Sequence, residues 1–364
     1  MYKIKKHGIQ LSCIVSLVFP ILGMVSACNT YKNCIGYEIP YGRMKEAARL
    51  DDKQFCIVLT DSNSVEKYKN TIIAGMEDCG RTLWSFINID NPDNNWYKWL
   101  LGVWKSPFTL IFDKNGQLEN IVFGISEYAR MSIESTVSPH NEDEGIRHKN
   151  FGFRANSAVP NGIGNANKFI ESHLQLIADT TETYYGKYLK ADSLAMIAEY
   201  PFSEYLKLHY GSHVFSRDSI AKMAHSFIKR YLHSSYPKMT YSSLIQKIGK
   251  KYLPEDMQSP LEIETHIAKG PYRVGDEANI TVSVTNYGHE NITIEKIETT
   301  CGCIKTIPAG RHFRKTIRRN ETVNYRFSME LEYSGTIYHE IYFYFHTGNA
   351  ASLATARIEV NVEQ

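Results

Sequence analysis

Apolar and polar positions change their period several times along this chain. From Phe55 to Leu59 the run is continuously apolar, as in a strand buried on both faces. Val65, Tyr68, Ile72 and Ile73 then fall on one face of a helix predicted over 64–76. Thr82–Ile89 reads as a second strand, and Trp96, Trp99, Leu100 and Val103 mark a second helix. Phe108–Phe112 and a return to Phe123 flank Asp113-Lys114-Asn115-Gly116, which predicts a hairpin whose Asn-Gly pair supplies the positive φ angles of a tight turn. Residues 127–165 carry Ser, Asn, His, Gly and charge without a period and read as a long loop.

Helical spacing returns with Phe169, Ile170, His173, Leu174 and Ile177. It recurs with Ile220, Ala224, Phe227, Ile228 and Tyr231, and again with Leu244, Ile245 and Ile248. Between them, Pro201 breaks or opens a helix within 194–209. From Leu261 the period becomes two. Ile280, Val282 and Val284 alternate with polar residues, as do Val323, Tyr325, Phe327 and Met329. Ile337, His339, Ile341, Phe343 and Phe345 share one face, and Ile358, Val360 and Val362 follow. Some seven strands in about 100 residues predict an antiparallel sandwich.

The first 28 residues stand apart. Lys3, Lys5 and Lys6 precede an apolar run from Ile9 to Val25, and the segment ends in Val25-Ser26-Ala27-Cys28. This is the layout of a secretory signal, too short and too interrupted by Pro20 and Gly23 for a membrane span. The last four residues resemble the bacterial lipobox. That resemblance implies cleavage after Ala27, lipid on Cys28, and anchoring in the cell envelope, on the periplasmic face or the outer membrane. Without residues 1–27, 38 of the 41 basic side chains face 39 acidic ones. No basic face suggests nucleic acid as a partner.

The β-α-β-α-β-β order of residues 40–130 resembles the thioredoxin fold. The strand ending at Thr60, the Asp90-Asn91-Pro92 connection and Ser106-Pro107 before the hairpin carry the likeness. It implies a cis-proline at Pro107. The family's C-x-x-C belongs near Ser62-Asn63-Ser64-Val65, where no cysteine stands. Without a thiolate there, that domain has no thiol exchange to perform and reads as redox-dead. In the helical segment, the stretch from Glu199 to Leu232 faintly resembles one tetratricopeptide-type unit, with no second copy. Its histidines, His209, His213, His225 and His233, have no zinc-site context and read as ordinary helix-face residues.

At the C-terminus, "YRVGDEANITVSVTNYG", "ITIEKIETTCGC" and "YSGTIYHEIYFYFHTGN" resemble a bacterial, Bacteroidetes-type Ig-like domain of unknown function, related to the Hydin and PapD sandwiches. Its hallmark is Cys301-Gly302-Cys303. Thr300 matches the residue before it; Ile304 replaces the usual threonine after it. The family carries no established catalytic activity. The chain is therefore expected to be multi-domain, α/β plus β. It divides into a signal peptide 1–27, a tether 28–39, a thioredoxin-like domain 40–130, a linker 131–165, a helical segment 166–258 and an Ig-like domain 259–364.

Five cysteines besides Cys28 remain after cleavage. The envelope permits disulfides. Three readings of Cys301 and Cys303 stand: a piece of sandwich architecture, a reducible disulfide that Lys305 could help activate, or two soft metal ligands. His312, His339 and His346 are candidates for further ligands, with His339 pointing inward, but no full set is visible. Tyr338, Tyr342, Tyr344 and His346 form either an exposed binding surface or a face covered by the helical segment. No paired carboxylates, nucleophile elbow or phosphate loop appear in a supporting context, and no cofactor is implied. The expected function is non-enzymatic binding or scaffolding of an envelope protein or glycan at the membrane; the alternative is thiol–disulfide or soft-metal handling.

Overall fold

The computed structural model describes residues 34–137 and 163–363, apart from 75, 77, 78, 104–106, 233, 235–237, 269, 308–314, 348 and 349. The signal segment, Cys28, most of the linker, Ser106, His233 and His312 lie outside the described residues. No described helix is long and apolar enough to cross a membrane.

The N-terminal part is a five-stranded mixed sheet with helices. Its elements are β1 (Ile35–Tyr37), α1 (Tyr41–Asp51), β2 (Gln54–Thr60), α2 (Val65–Tyr68), β3 (Thr82–Asn88), α3 (Trp96–Leu101), β4 (Phe108–Phe112), β5 (Leu118–Phe123) and α4 (Glu127–Val137). The strand order is β1-β3-β2-β4-β5, with β1, β3 and β2 parallel and β4 and β5 antiparallel. β2, at the centre, is buried from Phe55 to Thr60, which explains its unbroken apolar run. Past α2 the chain continues as one π-helical turn, Lys69–Ile73, that buries Ile72 and Ile73.

Three expectations differ here. The tether contributes a strand: β1 adds to the sheet edge beside β3. The segment read as loop begins with α4, which buries Ala129, Ile133 and Val137 at four-residue spacing. The hairpin loop is longer than a two-residue turn. Asp113 accepts the amides of Asn115 and Gln117, and only Gly116 takes a positive φ.

Among the described residues five helices follow: α5 (Ile163–Ala178), α6 (Tyr184–Ile197), α7 (Pro201–Gly211), α8 (Arg217–Tyr231) and α9 (Lys238–Tyr252). Pro201 opens α7 at its first turn, where the missing N–H is harmless. The hydroxyls of Thr183 and Ser216 cap α6 and α8.

The C-terminal part is built of β6 (Leu261–Ile267), β7 (Tyr272–Arg273), β8 (Glu277–Asn286), β9 (Ile292–Thr299), β10 (Ile304–Ile307), β11 (Lys315–Ile317), β12 (Thr322–Glu330), β13 (Gly335–Thr347) and β14 (Ala350–Glu363). They form a sheet β10-β12-β8-β6 and a sheet β11-β9-β13-β14-β7. The two enclose one core, with Val282 and Phe327 from one sheet and Ile341, Phe343 and Ile358 from the other. Pairing is antiparallel except for β7, which runs parallel to the end of β14. The extra strands beyond the expected seven include the short β7 and β11.

Alternation along β13 divides its two faces. Ile337, Ile341, Phe343 and Phe345 fill the sandwich, while Tyr342 and Tyr344 enter a second core shared with the helices and with the N-terminal sheet.

Candidate functional site

Cys301-Gly302-Cys303 is the turn by which the chain leaves one sheet for the other. β9, before it, pairs with β13; β10, after it, pairs with β12. The carbonyl of Cys301 accepts the amide of Ile304 at 3.2 Å and the Thr299 hydroxyl at 3.0 Å, which closes the turn. The amide of Cys303 donates to Cys301 Sγ at 2.8 Å. The two Cα atoms are 5.1 Å apart and the two sulfurs form a disulfide. Gly302 is exposed, and a Cβ placed there would meet nothing within 4 Å. The turn is therefore open to solvent, and space does not require glycine there.

The third member of the site comes from β13. The ladder between β9 and β13 ends at Thr299, opposite Ile341. One step further, Thr300 donates its amide to the Glu340 carbonyl at 3.1 Å, and its hydroxyl oxygen accepts the Glu340 amide at 3.0 Å. The same oxygen lies 3.1 Å from His339 Nδ1. The other ring nitrogen, Nε2, lies 3.7 Å from Cys303 Sγ. A threonine that ends the ladder thus fixes the orientation of the imidazole against the sulfur. Cys303 packs against the sandwich core, and both cysteines are partly buried.

His339 was expected inward, among the core side chains of β13. It sits at the rim of that face, half-buried. Among the described residues, Cys301, Cys303 and His339 are the group whose ligand atoms all lie within 4.8 Å of one another. The other histidine candidates do not join them. His346 is exposed and faces Glu295 at 3.2 Å, seven residues or roughly 23 Å further along the strand. Lys305 does not serve the sulfurs either: its ammonium pairs with Glu330 at 3.6 Å.

The tyrosine face divides between its two readings. Tyr342 is 2% exposed and Tyr344 4%, both covered by the helical segment, whereas Tyr338 is 45% exposed. The covering is polar as well as apolar. The Ser242 hydroxyl donates to Glu340 at 2.9 Å, and Gln246 donates to Thr355 Oγ1 at 2.9 Å. Burial pushes the Glu340 carboxyl above its usual range.

At the N-terminal sheet, Ser62-Asn63-Ser64 follow β2 as a turn, and Asp61 accepts the amide and hydroxyl of Ser64 at 2.8 and 2.7 Å. Pro107 directly precedes β4, and its carbonyl accepts the Gly124 amide at 3.0 Å. Cys56 is fully buried in the sheet, and burial raises its thiol pKa well above the ordinary range, so it is a packing residue.

No protein-family model and no curated protein matches this chain. Solved structures do, over parts of it. The Vibrio cholerae protease VesB is 13% identical with a TM-score of 0.26, over 34% of this chain and 36% of its own, so this chain spans about a third of VesB. PapD-like domain 7 of human CEP192 is 8% identical with a TM-score of 0.25, over 31% of this chain and 92% of that domain. The GAE domain of GGA2p from Saccharomyces cerevisiae is 17% identical with a TM-score of 0.23, over 29% and 95%. The structural neighbours thus include PapD-like sandwich domains, and no activity is carried over from them.

Proposed function

We propose that this chain is a lipid-anchored cell-envelope protein that presents a thiol–disulfide exchange site, Cys301–Cys303, on the rim of an Ig-like sandwich. The observation that carries the reading is His339, held by Thr300 with Nε2 3.7 Å from Cys303 Sγ. An incoming thiolate attacks Cys301 Sγ. The S–S bond breaks and its electron pair leaves on Cys303, beside the imidazole. A second thiol then resolves the mixed disulfide: two thiols become one disulfide, and the protein bond becomes two thiols. A ring N–H at Nε2, with the Thr300 hydroxyl donating to Nδ1, stabilises the leaving sulfur by a hydrogen bond.

The same proposal takes the N-terminal part as a redox-dead thioredoxin-like domain. What supports it is the order β1-β3-β2-β4-β5 with Pro107 leading into β4, and a serine turn where the paired cysteines would stand. Lipid on Cys28 is inferred from the sequence of the first 28 residues.

Equilibrating the chain with graded glutathione buffers and counting thiols by mass spectrometry tests the exchange. Expected is a reducible Cys301–Cys303 pair whose reduction slows in His339→Ala. A bond untouched by glutathione across the range overturns it. Cys28→Ser is expected to release the chain from the membrane fraction; unchanged association overturns the anchor.

The second reading, binding or scaffolding without exchange, is favoured by the exposed apolar side chains Tyr184, Tyr185, Leu189, Met196 and Ile197 on α6. Under it, a chain with both Cys301 and Cys303 changed to serine still retains its envelope protein or glycan partner. Under exchange, it loses the mixed disulfide.

A further inference from the structure

We propose that the reduced form of the site binds one copper(I) ion through Cys301 Sγ, Cys303 Sγ and His339 Nε2. This rests on the exchange reading only in needing the disulfide opened.

The distances fit three ligands around one ion. Metal–sulfur bonds of about 2.3 Å and metal–nitrogen bonds of about 2.0 Å at 120° put sulfur and nitrogen roughly 3.7 Å apart. Cys303 Sγ and His339 Nε2 already stand 3.7 Å apart. The two sulfurs must separate to roughly 4 Å on the same geometry. The turn allows it, since the Cα atoms are 5.1 Å apart.

The donor set selects the metal. Two thiolates and an imidazole are soft to intermediate ligands, which favour copper(I) or zinc over calcium, magnesium or manganese. A structural zinc site takes four ligands. Among the described residues no fourth histidine, cysteine or carboxylate joins this group. Zinc on three protein ligands needs a water as its fourth; copper(I) is satisfied by the three donors present, and it is the ion proposed.

The support around the ring is that of a ligating histidine. Nδ1–H donates to Thr300 Oγ1 at 3.1 Å, an oxygen anchored by the Glu340 amide, and Nε2 then presents its lone pair to the sulfurs. The Thr300 hydroxyl both accepts and donates, so it serves the oxidised and the metal-bound form alike. The balance is simple. Two thiol equivalents reduce the disulfide and leave as a disulfide of their own. Binding one copper(I) then releases the two protein thiol protons.

The test uses the full chain in detergent under nitrogen, reduced with a phosphine, which opens the bond whether or not glutathione does. Copper(I) is titrated against a chromophoric copper(I) chelator after thiol counting. Expected is one copper(I) per chain, abolished in Cys301→Ser, and weakened about tenfold in Thr300→Val, the usual effect of losing a ligand's outer partner. X-ray absorption on the wild-type chain is expected to give two sulfurs and one nitrogen, and stands even where a variant fails to fold. Fully reduced chain that withdraws no copper overturns the inference. So does copper retained when both Cys301 and Cys303 are serine, or a copper shell without nitrogen. A bond that resists glutathione but yields to the phosphine overturns the exchange reading alone.

Discussion

His173 is a fully buried imidazole between α5 and α7. Its Nδ1–H donates to the Phe169 carbonyl at 2.7 Å, and the Ser203 hydroxyl donates to Nε2 at 2.8 Å. Both bonds suit the neutral ring, and burial pushes its pKa down from 6.5 to about 4. The unfolded chain takes up a proton below about 6.5 that the folded chain refuses until about 4. Stability from this residue is therefore complete at neutral pH and is lost as pH falls through that window. The loss is about 2 kcal/mol by pH 5. Urea unfolding of wild type and His173→Gln at pH 7 and pH 5 checks it: the variant is expected to lose less on acidification, and equal losses exclude the account. The spacing Phe169, Ile170, His173, Leu174 already put this histidine on the buried face. Its partner Ser203 is thirty residues away and was not legible. The same holds for His339. Alternation along β13 gave its direction, but its meeting with Cys303 depends on where the β9–β13 ladder stops, and no period encodes that.

At the scale of elements, strands and helices with a strong period were legible, and their ends and short neighbours were not. α4 shows no apolar period because half of its inward positions are polar. Ser132, Ser135 and Thr136 are buried, and the last two turn their hydroxyls back to the Ser132 carbonyl at 3.0 and 2.8 Å. Asn120 of β5 donates to Thr136 Oγ1 at 3.1 Å, which pins the helix to the sheet. Such self-satisfied hydroxyls lie inside without an apolar signature, so the sequence looks like loop. The anchor is apolar all the same: Ile133 is fully buried in a cluster with Ile72, Ile111 and Val122. Ile133→Ala is expected to cost about 2–5 kcal/mol, read as a drop in the unfolding midpoint of the chain. A cost under 1 kcal/mol would mean that α4 is held by its hydroxyl network instead. β1 leaves no pattern for a plainer reason, since a three-residue edge strand is below the length at which alternation can be counted.

At the scale of the whole molecule, the helical segment is not a spacer between two independent β-containing parts. One core contains Phe55 and Leu110 of the N-terminal sheet, Tyr200, Phe227 and Leu244 of the helices, and Tyr342, Tyr344 and Leu353 of the C-terminal sheet. Hydrogen bonds follow the same path. Tyr241 donates to the Trp99 carbonyl at 2.9 Å and Tyr200 to the Leu100 carbonyl at 2.6 Å, while Ser242 reaches Glu340. Tyrosine and leucine side chains taken from this face would return several hundred Å² of largely apolar surface to water. Patches of that size on a soluble domain drive association. Residues 259–364 produced alone are therefore expected to self-associate, and residues 166–364, which keep the helices, to associate less. Light scattering after size exclusion compares the two. Tyr342→Ser with Leu353→Thr in the shorter chain is expected to restore the monomer, because both substitutions lie on the helix-facing side of β13 and β14 and leave the sandwich core untouched. If the unaltered 259–364 chain is monomeric across a range of concentrations, the helix-covered face is not what joins the parts. The Cys301 turn would then sit on a free-standing sandwich.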